Sequence, residues 1–273
     1  MLMKKNYTNI AMLLVVGAIS LLQACQKDDR FRSERKEFPD SKHGDSYEHE
    51  NKFYSSTLPI GNGVVRAWVK QNKDGEPVSV GVNFSEKALQ NLPSDPAQYV
   101  LLLPKNKGKN FYTHVLIDWN PQGHEPAHVY DLPHFDVHFY IIPNDQRLAI
   151  GPDDLAQFAN APASQYMPDH YLQIPGGVPQ MGAHWADLLS DEFNGGVFTK
   201  TFIWGTYDGN VIFFEPMLTR DYLLSHPDDL VTLRQPQAYQ RDGYYATQYK
   251  VSYSDSPKEY TVALLNLVHH DGE

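Results

Sequence analysis

Residues 118–143, DWNPQGHEPAHVYDLPHFDVHFYIIP, pack His124, Glu125, His128, His134, Asp136 and His138, side chains able to bind a metal or move a proton, into one loop and one strand. Imidazole nitrogens and carboxylate oxygens at this density suit a divalent, zinc-like ion. From 134 to 142 polar and apolar residues alternate with a period of two, and aromatic and β-branched types dominate, so this half predicts a β-strand. His134, Asp136, His138 and Tyr140 then share one face, and Phe135, Val137, Phe139 and Ile141 the other. With a core under the apolar face, the polar face must meet solvent, a cavity or an ion.

Spacing restricts which ligands can share that ion. Along a strand, residues i and i+2 lie roughly 7 Å apart and i and i+4 roughly 13 Å, so His134 and His138 of a regular strand cannot bind the same one. Either Pro133 lets His134 swing in from the strand's mouth, or the ion takes His138 with a ligand from elsewhere. His184, in Met181-Gly182-Ala183-His184-Trp185, is the best outside candidate, because the Gly/Pro-rich loop 162–179 can bring it close. His124 and Glu125 sit in a Gly/Pro turn that could close the site. Glu215 either completes a His/Glu set or pairs with Arg220, and the ion pair is the preferred reading. The expected metal ligands are therefore His124, His134, His138 and His184, with Glu125, Asp136 and Glu215 as further ligands or as partners of the ligands. The metal-free alternative is a polar network in which Asp136 fixes the tautomer of a histidine.

His124-Glu125-Pro126-Ala127-His128 also spells HExxH, the zinc-protease signature. That chemistry needs a helix to put both histidines on one face. Pro126 inside the motif and Asn120-Pro121-Gln122-Gly123 before it argue against one, and His128 drops out of the ligand set. No GxSxG elbow, GxGxxG loop or GxxxxGK loop is present.

The elements that must position these residues are mostly strands. Residues 64–70 and 77–84 alternate around Lys73-Asp74-Gly75-Glu76 and predict a hairpin. Residues 85–92 read as a short helix capped by Ser85, with Pro93 past its end. Strands are expected over 98–103 and 112–119, joined by a basic turn at 105–110, and a helix over 153–159. A second hairpin, 198–204 with 211–214, closes around Asp208-Gly209, and Thr219 caps a short helix to 225. Residues 245–253 run back through Pro257 as 260–268. About eight strands and three short helices make the expected class mainly β: a single antiparallel sandwich or barrel domain over 57–273.

The first 24 residues read as an export signal, with Lys4 and Lys5 before an apolar run at 10–22 that is too short for a comfortable membrane span. Leu22-Gln23-Ala24-Cys25 resembles a lipoprotein lipobox, which makes Cys25, the only cysteine, the site of lipidation. Gln26-Lys27-Asp28-Asp29 is either a tag for export to the cell surface or the start of a tether. Residues 25–56 are polar enough to be a flexible linker. The expectation is a lipid-anchored protein of the bacterial outer membrane, facing outward. Its formal charge of −10 becomes −12 once Lys4 and Lys5 leave (−10 − 2), and such a body lacks the basic footprint that nucleic acid requires.

GHEPAHVYDLPHFDVHFY, together with GNGVVRAWV, GVNFSEKALQNLP and MGAHW, resembles an uncharacterised family of exported bacterial proteins, a domain of unknown function with a Thermus prototype. The resemblance spans about 58–225. It implies a β-rich fold and self-association as a homo-oligomer, and it supplies no activity. A more distant likeness to cupins lacks the HxH spacing that opens their motif. Two functions remain. One is a binding module whose metal serves structure or ligand capture, which is the preferred reading. The other is a metal-dependent enzyme with an open coordination position, and ligand number discriminates them: four protein ligands close a site, three leave it open.

Overall fold

The computed structural model describes residues 51–104 and 111–273. The signal segment, Cys25, the 26–29 tag and the 105–110 turn lie outside the described residues. In chain order the strands are β1 (Asn51–Tyr54), β2 (Leu58–Ile60), β3 (Gly63–Gln71), β4 (Pro77–Ser85), β5 (Ala97–Leu102), β6 (His114–Asn120), β7 (His134–Tyr140), β8 (Tyr171–Gln173), β9 (Ala183–Asp187), β10 (Lys200–Tyr207), β11 (Asn210–Thr219), β12 (Asp228–Thr232), β13 (Gly243–Asp255) and β14 (Lys258–His270). Short helices are α1 (Asn144–Leu148), α2 (Leu155–Ala159) and α3 (Arg220–Leu224), with a few single 3₁₀ turns.

The strands form two seven-stranded antiparallel sheets. One runs β1-β3-β4-β14-β13-β12, with β2 also on β3, and the other runs β5-β6-β7-β11-β10-β9-β8. Their apolar faces share one core, in which Val65, Val82, Phe84, Val251 and Val262 of the first sheet join Val115, Phe135, Val137, Phe139 and Phe214 of the second. The Phe84 and Phe135 rings meet across it at 5.5 Å. This is the β-sandwich that period-two alternation calls for.

The three hairpins form where their alternation and turns place them. Asp208 and Gly209 both take positive φ, +47° and +75°, the conformation that two-residue hairpin turns favour. Thr219 caps α3, its hydroxyl accepting from the Tyr222 amide at 3.2 Å. Other expectations need correction. The 85–92 helix is only a 3₁₀ turn, Glu86–Leu89, and the Ser85 hydroxyl accepts from the Val64 amide of the neighbouring strand instead of capping it. β1 lies within the stretch expected to be tether, because it pairs with β3 from Asn51 to Tyr54. α1, β8 and β12 have no clear period in sequence and gain their structure from neighbours: among the described residues β8 pairs only with β9, and β12 only with β13.

A second apolar cluster covers the outer face of the second sheet: Leu116, Tyr130, Tyr140, Ile150, Phe158, Phe198, Ile203, Phe213 and Met217. The 121–133 loop, through Tyr130, and the segment between α1 and β9, through Ile150, Phe158, Ile174 and Met181, supply its cover. Both faces of this sheet are therefore buried, and the polar residues of β6, β7 and β11 are enclosed between sheet and loops.

Candidate metal centre

Strand register assembles the site. On that outer face Asp118 of β6 pairs with Asp136 of β7, and Asn120 with His134. On the other side of β7, β11 sets Met217 opposite Asp136. β10 then sets Ile203 opposite Glu215, and β9 sets His184 opposite Gly205. Glycine is required at 205 because a Cβ there would overlap the Phe213 ring. That ring packs beside both histidines, 4.9 Å from His138 and 5.1 Å from His184, whose own rings meet edge to face at 5.9 Å. His124 arrives from the 121–133 loop, where Gly123 holds φ at +73° with its Cα against the Tyr130 carbonyl, and an isolated bridge pairs His124 with Tyr130.

Two clusters result, each of two imidazoles and one carboxylate, with donor atoms within 4.8 Å of one another: His138, His184 and Glu215, and His124, His134 and Asp136. In the first, the His138 Nε2 to Glu215 Oε1 distance is 3.4 Å and the His184 Nε2 to Glu215 Oε2 distance is 3.7 Å. In the second, His124 Nε2 and His134 Nε2 lie 3.2 and 3.1 Å from the two oxygens of Asp136. Bonds of 2.0–2.1 Å to a tetrahedral ion put ligand atoms about 3.3 Å apart, so both clusters are spaced as metal ligands are. His184 and Glu215 of the first cluster and His124 and Asp136 of the second line one cavity of about 470 Å³, walled by Ile203, Met217 and Asp118 and roofed by Ile174, Val178 and Met181.

Hydrogen bonding leaves the converging atoms free. His134 Nε2, Asp136 Oδ1, both ring nitrogens of His138, Glu215 Oε2 and Asp118 Oδ2 are buried without a hydrogen-bond partner. Each such atom costs about 1–3 kcal/mol unless a proton or a cation satisfies it. The far sides of the rings are held. His124 Nδ1 lies 2.7 Å from the Glu125 carbonyl and His134 Nδ1 2.6 Å from the Leu132 carbonyl, so both Nδ1 atoms donate and both Nε2 atoms face Asp136. His138 Nδ1 lies 3.3 Å from Asp118, whose other oxygen accepts from Gln98 at 2.7 Å. Asn120 donates to Asp136 at 2.7 Å.

Burial pushes His138 down to about 3 and His184 to about 4, so both imidazoles are neutral at physiological pH, the form that binds metal. Burial, reinforced by Asp136, raises Asp118 to about 7, and burial with Asp136 and Asp118 raises Glu215 well above the carboxylate range. For Asp136 burial works upward, but His134 and His124 outweigh it and hold the carboxyl well below its usual range. His124 is raised: burial opposes the shift, and the hydrogen bond and charge of Asp136 prevail.

The expected ligands thus divide. His134 and His138 cannot share an ion, as their spacing requires, and they belong to different clusters. His184 joins His138, and His124 joins His134. Glu215 is a cluster member and not an ion-pair partner of Arg220, whose guanidinium donates to the Leu89 carbonyl at 3.0 and 3.1 Å. Glu125 lines the cavity while its carbonyl holds His124, and it belongs to neither cluster. His128 points outward, 96 % exposed, in a loop with no helix. Sequence reasoning missed Asp118, Asn120 and His114 as members of the polar face. Their signal was the inward set Val115, Ile117 and Trp119, which puts His114, Leu116, Asp118 and Asn120 on the opposite side.

No curated protein and no solved structure matches this chain. Residues 72–119, from the first hairpin turn through β6, match the family model described as TTHB210-like, Hypothetical protein TTHB210, the Thermus prototype of an uncharacterised family; the match includes Asp118 and ends before the GHEP and PHFD-x-HFY blocks.

Proposed function

We propose that the domain holds a divalent ion at His138, His184 and Glu215 and presents it, with an open coordination position, to a small molecule in the cavity, as a metal-dependent enzyme. The observation carrying this reading is the convergence of three ligands, not four, beside a cavity that two of them, His184 and Glu215, line. Two imidazoles and one carboxylate are the donor set of open zinc and non-haem iron sites. Four protein ligands would have favoured the closed binding module. A cavity of about 470 Å³ is of the size that takes small ligands. When bound, the ion would supply Lewis acidity and a water of lowered pKa.

The chain's own residues do the rest. Asp118 orients His138, Phe213 buttresses both His138 and His184, and Ile174, Val178, Met181, Ile203 and Met217 keep the pocket largely apolar. Glu125 stands at the mouth, where it can exchange a proton with an entering molecule. The proposed setting is the outer face of the cell envelope, with the domain lipid-anchored through Cys25; Cys25→Ala should release the protein into the soluble fraction.

Cobalt substitution tests the open position. The visible spectrum of the cobalt protein should change on addition of azide, and His138→Ala should abolish the spectrum. A cobalt spectrum insensitive to azide would favour a closed structural ion.

A further inference from the structure

We infer that the cavity takes two cations, the second at His124, His134 and Asp136, and that only the two-cation form binds its ligand, which is an oxyanion such as a phosphoryl or carboxylate group. This deepens the proposal above and rests on the ion at His138, His184 and Glu215.

The second cluster is a built site. His134 is fully buried and Asp136 is 4 % exposed, and His134 Nε2 and Asp136 Oδ1 face each other at 3.1 Å without a hydrogen bond. Both of its histidines spend Nδ1 on backbone carbonyls, which leaves Nε2 as the ligating atom. Asn120 fixes the carboxylate. Asp118 joins the two clusters: it is the cross-strand partner of Asp136 and also touches His138.

Charge decides what the cavity can hold. Asp136 and Glu215, ionised as ligands, bring two negative charges into its wall, Asp118 adds a third only above about pH 7, and no lysine or arginine lines it among the described residues. With one divalent ion the balance is −2 + 2 = 0, or −1 once Asp118 ionises, and an anion gains no attraction. With two it is −2 + 4 = +2, or +1 once Asp118 ionises, and an anion is attracted. Two ions with open positions on one cavity are bridged by a ligand that offers two oxygens. Cations line the cavity only when the protein binds them, so ligand binding is conditional on the second ion.

The test uses the purified full-length chain, zinc, and inorganic phosphate at concentrations where zinc phosphate stays dissolved. Metal analysis at saturation should give two zinc ions per chain for the parent and one for His124→Ala, a loop residue at the cavity mouth whose loss leaves the sheet intact. Asp136→Asn should also give one. Calorimetry should detect phosphate binding to the two-zinc parent and at least tenfold weaker binding to the one-zinc variants. One zinc per parent chain would overturn the second site and leave the first standing. Phosphate binding undiminished in both variants would overturn the oxyanion assignment. No zinc at all would overturn both this inference and the proposed function.

Discussion

The two faces of β7 carry residues of equal burial and opposite consequence. On the inner face Phe135, Val137 and Phe139 are fully buried and packed on aromatic and aliphatic neighbours. Their burial is its own compensation, because apolar area leaves water and dispersion contacts replace it. On the outer face His134, Asp136 and His138 are as deeply buried, yet Nε2 of both histidines and one Asp136 oxygen have no hydrogen-bond partner. Deep burial therefore means packing on one side of the strand and an unfilled demand for charge on the other.

The first way to break that comparison is to truncate the packed side. Phe135→Ala should destabilise the protein by about 3–5 kcal/mol, the usual cost of removing a buried aromatic, with the same loss in zinc and in chelator. Urea unfolding measures both. A loss much larger in zinc than in chelator would mean that the inner face holds the metal ligands in place, and the two faces would no longer be independent.

Gly205→Ala tests the residue that links the faces. The new methyl group must displace the Phe213 ring that packs against both His138 and His184. Overpacking should cost about 1–3 kcal/mol and weaken zinc binding as well. Stability loss with unchanged zinc affinity would show that Phe213 does not position the ligands.

A smaller effect isolates the charge on the outer face. In the metal-free protein Asp118 binds a proton up to about pH 7, whereas unfolded it releases that proton near 3.8. Between these values the folded state holds the extra proton, so this group makes stability fall as pH rises. His138 and His184 act oppositely: their folded values are depressed, the unfolded chain binds more protons below 6.5, and stability rises with pH up to that point. Asp118→Asn removes only the first contribution. The variant should match the parent near pH 4 in chelator and exceed it increasingly toward neutrality, as read by urea unfolding. A difference constant across this range would contradict the raised Asp118 value.

The least effect belongs to His128→Ala. Its side chain is in solvent, so stability should stay within about 0.5 kcal/mol and zinc affinity should not change.

Much of this arrangement was legible in the sequence, and the illegible part has a common cause. Alternation identified β7 and its two faces, the long hairpins and the antiparallel β class, with sandwich and barrel both left open, because period two is a local property. Pro126 excluded the zinc-protease helix on local grounds too. What stayed hidden depends on which strands become neighbours. Asp118 gains its role from pairing with Asp136, and Glu215 from lying between β7 and β10. The bulge between Gly205 and Thr206 also shifts the register of β10 against β11, which leaves Val211 in the inter-sheet core while Phe213 joins the outer face. Strict alternation would put Val211 and Phe213 on one face with Glu215. β8 and β12 were missed because short edge strands owe their form to a partner and not to their own period.

The account stands most directly on one comparison of stabilities. Chelator-treated parent protein should gain about 2.7 kcal/mol of unfolding free energy for each ion it binds when zinc is added at a hundredfold excess over that site's Kd, because an ion bound only by the folded state adds its binding energy to stability. His138→Ala should lose the part of this gain that comes from the cluster with His184 and Glu215. If the parent gains nothing from zinc, manganese, iron or copper, or if His138→Ala gains as much as the parent, the outer face is a hydrogen-bonded polar network and not a metal centre.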